Sequence, residues 1–201
     1  MLADPVTEVQ QAVLPNNCVL AFGLPTTEED FEASIRDQNR DYAKHYLAGW
    51  EQYRRNYACH VIAFTQRFLA LGVQVISDLR GSDLPALFDR GSVVTLFTHW
   101  TATGIEFFDG TLPLSKVVES VPCAFAGVLD LCVCHPDELV ALLLRDRPLC
   151  SVRYLSERAS PVFWLTFYAA LYSVLKLGRR TYTNAMTEVI IELRHQSANE
   201  K

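Results

Sequence analysis

The segment that decides the fold reads SVVTLFTHWTATGIEFFDG at residues 92–110 and CAFAGVLDLCVCHPD at residues 123–137. It contains two apolar runs, at 93–97 and 125–133, that are rich in β-branched and aromatic residues. Each run is too short for a typical free-standing helix, and this composition favours strands. The segment therefore predicts two strands, each of which leads to a chemically reactive side chain.

Those side chains are a histidine and a cysteine. His99 follows the first run, Cys132 lies in the second, and Cys134 comes two residues later. In an α/β protein, the strand ends and the loops beyond them collect functional residues, because the sheet fixes their positions while the loops stay open to ligands. The stretch from His99 to Cys132 is long enough for a crossover between parallel neighbours. His99 and Cys132 are therefore a candidate base and nucleophile.

Composition sets the outer limits on the class of protein. The chain has 201 residues, 50% of them hydrophobic, and no linker separates two domains of ordinary size, so we expect a single domain spanning 1–201. A net charge of −5, with scattered basic residues, argues against a nucleic-acid partner. We also expect no membrane span, a cytoplasmic location and reduced thiols at the six cysteines.

Strand-like and helical segments alternate along the rest of the chain. A helical composition runs from 27 to 71, which predicts one long helix or two in series ending at Gly72. Asp109-Gly110 between short apolar runs predicts a hairpin over 104–114. We expect a mainly parallel sheet covered by helices on both faces, with the central strands adjacent. The predicted strands are 18–22, 73–77, 93–98, 125–133 and 150–155, and the shorter predicted helices are 83–88, 115–121, 137–145, 161–175 and 181–193.

This arrangement resembles the caspase–haemoglobinase fold of clan CD cysteine peptidases, and within it the CHAT domains. Residues 73–99 are similar to the family's strand, helix and strand-to-histidine unit, and IEFFDGTLPL resembles its hairpin. VLDLC resembles its cysteine strand, and SPVFWLTFYAALYSVLKLGRRTYTNAM is similar to its C-terminal helix pair. The likeness covers roughly 73–193, whereas 27–71 fits as an enlarged helical insertion or crossover. A three-layer caspase-like fold is what the resemblance implies.

The resemblance also implies an activity. His99 would be the acid/base and Cys132 the nucleophile of an endopeptidase that cleaves a protein partner, in a bacterial defence or regulated-proteolysis system. The family usually has glycine directly after the histidine, and its backbone N–H helps to bind the oxyanion; here Trp100 holds that position. Cys134 is the alternative nucleophile. The resemblance implies no cofactor.

Two alternatives stay open at this point. In the first alternative, the chain is a catalytically inactive caspase-like module that binds a regulatory partner protein through the helix at 27–71. Free cysteines are commonly buried hydrophobes, so a Cys/His pair alone is weak evidence for catalysis. A metal site built from Cys132, Cys134 and His135, with Cys59-His60 recruited to it, is disfavoured because a one-residue spacing between cysteines is not the usual zinc pattern.

Asp130 is the odd residue in an otherwise apolar strand. A buried carboxylate is costly unless it is paired. We therefore expect Asp130 to support the site in one of two ways: by capping a backbone group, or by forming a salt bridge with an arginine such as Arg153 on the next strand.

Overall fold

A five-stranded parallel sheet forms the centre of the molecule. The computed structural model describes residues 12–36, 49–154, 159–178 and 180–199. The large sheet consists of β1 (Cys18–Phe22), β2 (Gln74–Ile76), β3 (Val93–Phe97), β7 (Val128–Cys132) and β8 (Ser151–Tyr154). The strand order is β2-β1-β3-β7-β8, and every neighbouring pair is parallel.

The sequence predicted each of these strands within the bounds of its apolar run, and the expected adjacency of β3 and β7 is confirmed. The main error in bounds is at β7, which begins at Val128 rather than at residue 125. A turn in which the N–H of Phe125 donates to the carbonyl oxygen of Pro122 occupies the preceding residues. Gly127 then passes so close to Ser92 that a Cβ atom there would lie 2.2 Å from the Ser92 oxygen. Apolar composition alone does not reveal this turn.

A smaller antiparallel sheet follows β3. Its strands are β4 (His99–Thr101), β5 (Gly104–Phe107) and β6 (Gly110–Leu112). The predicted hairpin is therefore confirmed as β5 and β6, but the sequence did not predict β4. As a result, His99 opens a new strand instead of lying in a loop beyond β3.

Helices cover both faces of the large sheet. Residues 37–48 of the predicted long helix lie outside the described residues, and Gly72, in the left-handed conformation at φ 93°, ends the helical segment as expected. The helices are α1 (Glu28–Arg36), α2 (Trp50–Tyr53), α3 (Cys59–Leu71), α4 (Leu84–Leu87), α5 (Leu114–Ser120), α6 (Asp137–Asp146), α7 (Pro161–Lys176) and α8 (Tyr182–Asn199), with a π-helical turn at Arg54–Ala58.

The alternation of β7 divides the core into two layers. Val128 and Cys132 pack with α3, α7 and α8, whereas Leu129 and Leu131 pack on the opposite face with α4, α5 and α6. This follows from the two-residue period of a strand. The chain is thus an α/β protein with a parallel sheet between two helical layers. Within the described ranges, no helix has the length and apolar character needed to cross a membrane.

Candidate functional site

The carboxyl ends of β3 and β7 place the predicted histidine and cysteine side by side. Phe97 and Cys132, the last residues of the two strands, are register partners. The N–H of Thr98 donates to the carbonyl oxygen of Cys132 at 3.4 Å and continues the contact by one residue. His99 comes next along the chain, so the strand pairing itself holds it at the same end of the sheet as Cys132.

A cavity of about 180 Å³ opens at this end of the sheet. His99, Cys132 and Cys134 all contribute to its wall, so the structure brings together both candidate nucleophiles and the candidate base. The π-helical turn, β3, α7 and the loops beside them supply the remaining surface. Besides those three residues, the described residues that line the cavity are Leu24, Tyr57, Phe97, Thr98, Val133, Ala159, Pro161 and Trp164.

Three aromatic side chains at or beside the cavity were not predicted from the sequence as site residues. Trp164 is half-buried and faces the cavity. Tyr57 comes from the π-helical turn, a local distortion that often occurs at functional sites. Tyr168 does not line the cavity but contacts Cys132 directly.

His99 stands opposite a carboxylate that the sequence analysis missed. His99 and Glu106 are register partners on β4 and β5, and Glu106 is fully buried. Directly opposed side chains of an antiparallel pair share a face, with Cβ atoms about 5 Å apart. The hydroxyl of Thr98 donates to the carbonyl oxygen of Glu106 and ties the two strands together beside the histidine. The available signal was a single acidic residue within the apolar run GIEFF.

Trp100, the candidate oxyanion residue, lies on β4 directly after His99. Its register partner is Ile105, and its side chain packs with the core on the opposite face of the large sheet. Successive residues of a strand point to opposite sides, so the indole points away from the face that carries His99. Any role of Trp100 at the cavity therefore falls to its backbone N–H.

Cys132 is buried, with 4% of its surface exposed. Its thiol donates a hydrogen bond to the hydroxyl of Tyr168 at 3.1 Å. Burial, followed by the nearby charge of Asp130, raises the pKa of the Cys132 thiol well above its ordinary value, while the hydrogen bond with Tyr168 acts in the lowering direction. The raised pKa keeps the Cys132 thiol in its protonated form. Because the thiolate is the reactive form of a cysteine, Cys132 is held here in its less reactive form.

Cys134 differs from Cys132 in its exposure. It follows the end of β7, where the chain bends towards α6, and it is half-buried. The next residue, His135, is exposed and adopts the left-handed conformation at φ 51°. The cavity is therefore bordered by one buried thiol and one more accessible thiol.

Asp130 is buried with 2% of its surface exposed, and its partner is a tyrosine rather than a backbone group. The Tyr182 hydroxyl donates to its carboxylate at 2.8 Å. Burial raises the pKa of Asp130, while hydrogen bonds with Tyr182 and Tyr168 and the charge of Arg153 act in the lowering direction. Arg153 is its register partner on β8, but the Arg153 guanidinium donates to Thr183 at 2.9 Å. The two partners expected from the sequence, a backbone group or Arg153, therefore did not include the tyrosine that hydrogen-bonds with Asp130.

The metal alternative gains no geometric support. Within the part of the chain that is described, no group of three or more His, Cys, Asp or Glu side chains is arranged to hold a metal ion. Cys59 lies at the start of α3, where its thiol donates to the carbonyl oxygen of Arg55 at 3.6 Å.

No protein-family model matches the sequence, and no curated protein matches it at a significant level.

Proposed function

We propose that this protein is a cysteine endopeptidase of the caspase-like type, in which His99 and Cys132 act together on a peptide bond of a protein substrate. The single observation that carries the proposal is that both side chains line one cavity at the carboxyl ends of two adjacent parallel strands. A nucleophile and a base that reach the same space are the minimum requirement for covalent acyl transfer.

The chemistry that this arrangement would perform is a two-step hydrolysis. His99 removes the thiol proton of Cys132, the sulfur attacks the carbonyl carbon and a C–S bond forms, and the C–N bond breaks as His99 passes that proton to the leaving amine. Water, deprotonated by His99, then attacks the thioester and releases the carboxylic acid and the free thiol. The backbone N–H of Trp100 is the proposed donor to the oxyanion in both steps.

The order of elements is compatible with the resemblance found in the sequence. A parallel strand leads to His99, an antiparallel hairpin and a helix follow, and the neighbouring parallel strand carries Cys132. The two strands pair directly, as the proposed dyad needs. A fold supports many functions, so this agreement adds to the argument from the site without replacing it.

A binding module is the second candidate function, and two observations favour it. The Cys132 thiol is protonated and buried, which suits a structural cysteine as well as a resting enzyme. On α3, Ile62 and Leu69 are about half exposed, at 55% and 49%, and their seven-residue spacing places them on one face of the helix. An apolar helix face of this kind is a suitable docking surface for a partner helix.

Covalent labelling separates the two functions. A peptidyl acyloxymethyl ketone should label one cavity cysteine of the native protein well before the other five cysteines, and site-resolved mass spectrometry identifies which one. Cys132→Ala and His99→Ala should both lose this labelling, whereas Cys134→Ala should keep most of it. Loss in Cys134→Ala alone would move the nucleophile to Cys134. Uniform, slow labelling that does not depend on His99 would favour the binding module.

A further inference from the structure

A cluster of hydrogen-bonding side chains lies behind Cys132, inside the layer formed by the last two helices. The Tyr168 hydroxyl, from α7, accepts a hydrogen bond from the Cys132 thiol at 3.1 Å, and the Tyr182 hydroxyl, from α8, donates one to the Asp130 carboxylate at 2.8 Å. Asp130 and Cys132 are two residues apart on β7 and so share a face of the sheet. The Tyr168 hydroxyl also acts to lower the pKa of Asp130, so it interacts with the acid as well as with the thiol.

The number of protons in this cluster limits its charge states. A tyrosine hydroxyl has one proton to donate and can also accept. While Cys132 is a thiol, the Tyr168 oxygen accepts from the sulfur and its own proton is available to the Asp130 carboxylate. If Cys132 became a thiolate with Asp130 still ionised, two buried anions would compete for the single Tyr168 proton. Burial makes two such charges on one strand face costly.

We propose that Tyr168 and Asp130 are opposed positioning residues that set the reactivity of the Cys132 thiol: Tyr168 stabilises the thiolate by donating its hydroxyl proton, and the Asp130 carboxylate disfavours the thiolate. The proposal deepens the proposed function, because it concerns the thiol that would attack the substrate. In this proposal, the arrangement with a protonated Cys132 thiol beside the Asp130 carboxylate is a resting form of the site. The thiol becomes reactive when Asp130 takes up a proton or when its charge is compensated, since Tyr168 can then donate to sulfur alone.

The surrounding charges agree with these directions. The Asp130 charge is, after burial, a named cause of the raised pKa of Cys132, whereas the Tyr168 hydrogen bond acts against it. Among the described residues, the basic group that lowers the pKa of Asp130 is Arg153 on β8, and its guanidinium donates to Thr183. The other described titratable groups that interact with this cluster are Tyr172 on α7, Tyr182 on α8 and Cys18 on β1. Asp130 and Cys18 each affect the pKa of both tyrosines.

The test compares variants whose effects should have opposite signs. The measurement is the rate of carboxamidomethylation of Cys132 in the native protein by iodoacetamide at pH 8, resolved by mass spectrometry. We expect Tyr168→Phe to slow this rate about tenfold and Asp130→Asn to accelerate it about tenfold, because one pKa unit changes the thiolate fraction tenfold. A merely structural role for both residues would loosen the core and change both rates in the same direction.

Two further variants keep the test decisive. Tyr172→Phe is the matched control, because the Tyr172 hydroxyl pairs with the Thr95 hydroxyl at 3.3 Å rather than with Cys132. The labelling rate of Cys132 in this variant should stay within about twofold of the wild-type rate. If Asp130→Asn does not fold, Tyr182→Phe replaces it, because loss of a hydrogen bond to the carboxylate favours protonation of Asp130 and should also accelerate labelling.

Changes of the same sign, or unchanged rates in folded Tyr168→Phe, would overturn the proposal. A separate result would contradict the proposed peptidase activity: labelling by the peptidyl acyloxymethyl ketone that does not depend on His99. Opposite signs with iodoacetamide would then still establish the control of the thiol, without the activity.

Discussion

His99 and Glu106 face each other across the antiparallel strands β4 and β5, and Glu106 is fully buried. A carboxylate in this position can orient an imidazole by accepting a hydrogen bond from it, as the third member of a nucleophile–base arrangement does. The small sheet thus fixes the position of His99 relative to a buried acid, while the large sheet fixes its position relative to Cys132.

Glu106→Gln tests this relationship. The substitution keeps the shape of the side chain but replaces the carboxyl group with an amide, so we expect labelling by a peptidyl acyloxymethyl ketone to slow about tenfold, and His99→Ala to slow it further. The double variant should be no slower than His99→Ala alone, because the two residues act as one unit. Additive losses in the double variant would show that Glu106 acts independently of His99. Glu119→Gln on the exposed surface of α5 is the control.

Alkaline pH should destabilise the protein through its buried thiols. Burial raises the pKa of Cys18 from 9.0 to about 12 and that of Cys150 to about 11. Above pH 9 the unfolded chain loses these protons while the folded chain keeps them, so the free energy of unfolding falls as pH rises towards the folded pKa. Each such thiol contributes about 1.4 kcal/mol of loss per pH unit in that window.

Urea unfolding at pH 8 and pH 10 measures the loss, before tyrosines with an ordinary pKa of 10.0 contribute fully. Cys18→Ala should lose about 1.4 kcal/mol less than the wild-type protein between these two pH values. An identical loss in both proteins would show that the Cys18 thiol ionises normally in the folded state.

Ser160 caps the helix that brings Pro161 and Trp164 to the cavity. Its side chain accepts a hydrogen bond from the N–H of Phe163 at 3.2 Å. Ser160→Ala should reduce the free energy of unfolding by about 1 kcal/mol, whereas Ser160→Asp should preserve it, because a carboxylate also accepts this bond. Urea titrations of the three proteins provide the comparison, and equal midpoints for all of them would contradict a capping role.

Gly127 is required where the chain enters β7. A Cβ atom there would lie 2.2 Å from the carbonyl oxygen of Ser92, and the N–H of Val128 donates to that same oxygen at 2.8 Å. Gly127→Ala should therefore cost about 1–3 kcal/mol, as overpacking does, and should slow labelling of Cys132 by shifting β7. Ala126→Ser, at the exposed neighbouring position, should have midpoints close to those of the wild type in the same urea titrations. Normal stability in Gly127→Ala would show that the strand entry can relax.

Local sequence was enough to predict the approximate bounds of the parallel strands. Runs such as CVLAF, VVTLF and VLDLC are short, apolar and separated by helical segments, so local composition and the crossover rule are enough to predict a parallel sheet with β3 beside β7. The placement of His99 and Cys132 at one end of the sheet follows from the same reasoning, because parallel strands end at the same edge.

The hydrogen bonding and protonation of the site depend on contacts between distant parts of the chain. Tyr168 reaches Cys132 across 36 positions of the chain, and Tyr182 reaches Asp130 across 52. No local pattern encodes such distant partners, since they depend on how α7 and α8 pack against β7. Burial and hydrogen-bond partners, rather than residue type, set the protonation of Cys132 and Asp130, and both are properties of the packed core.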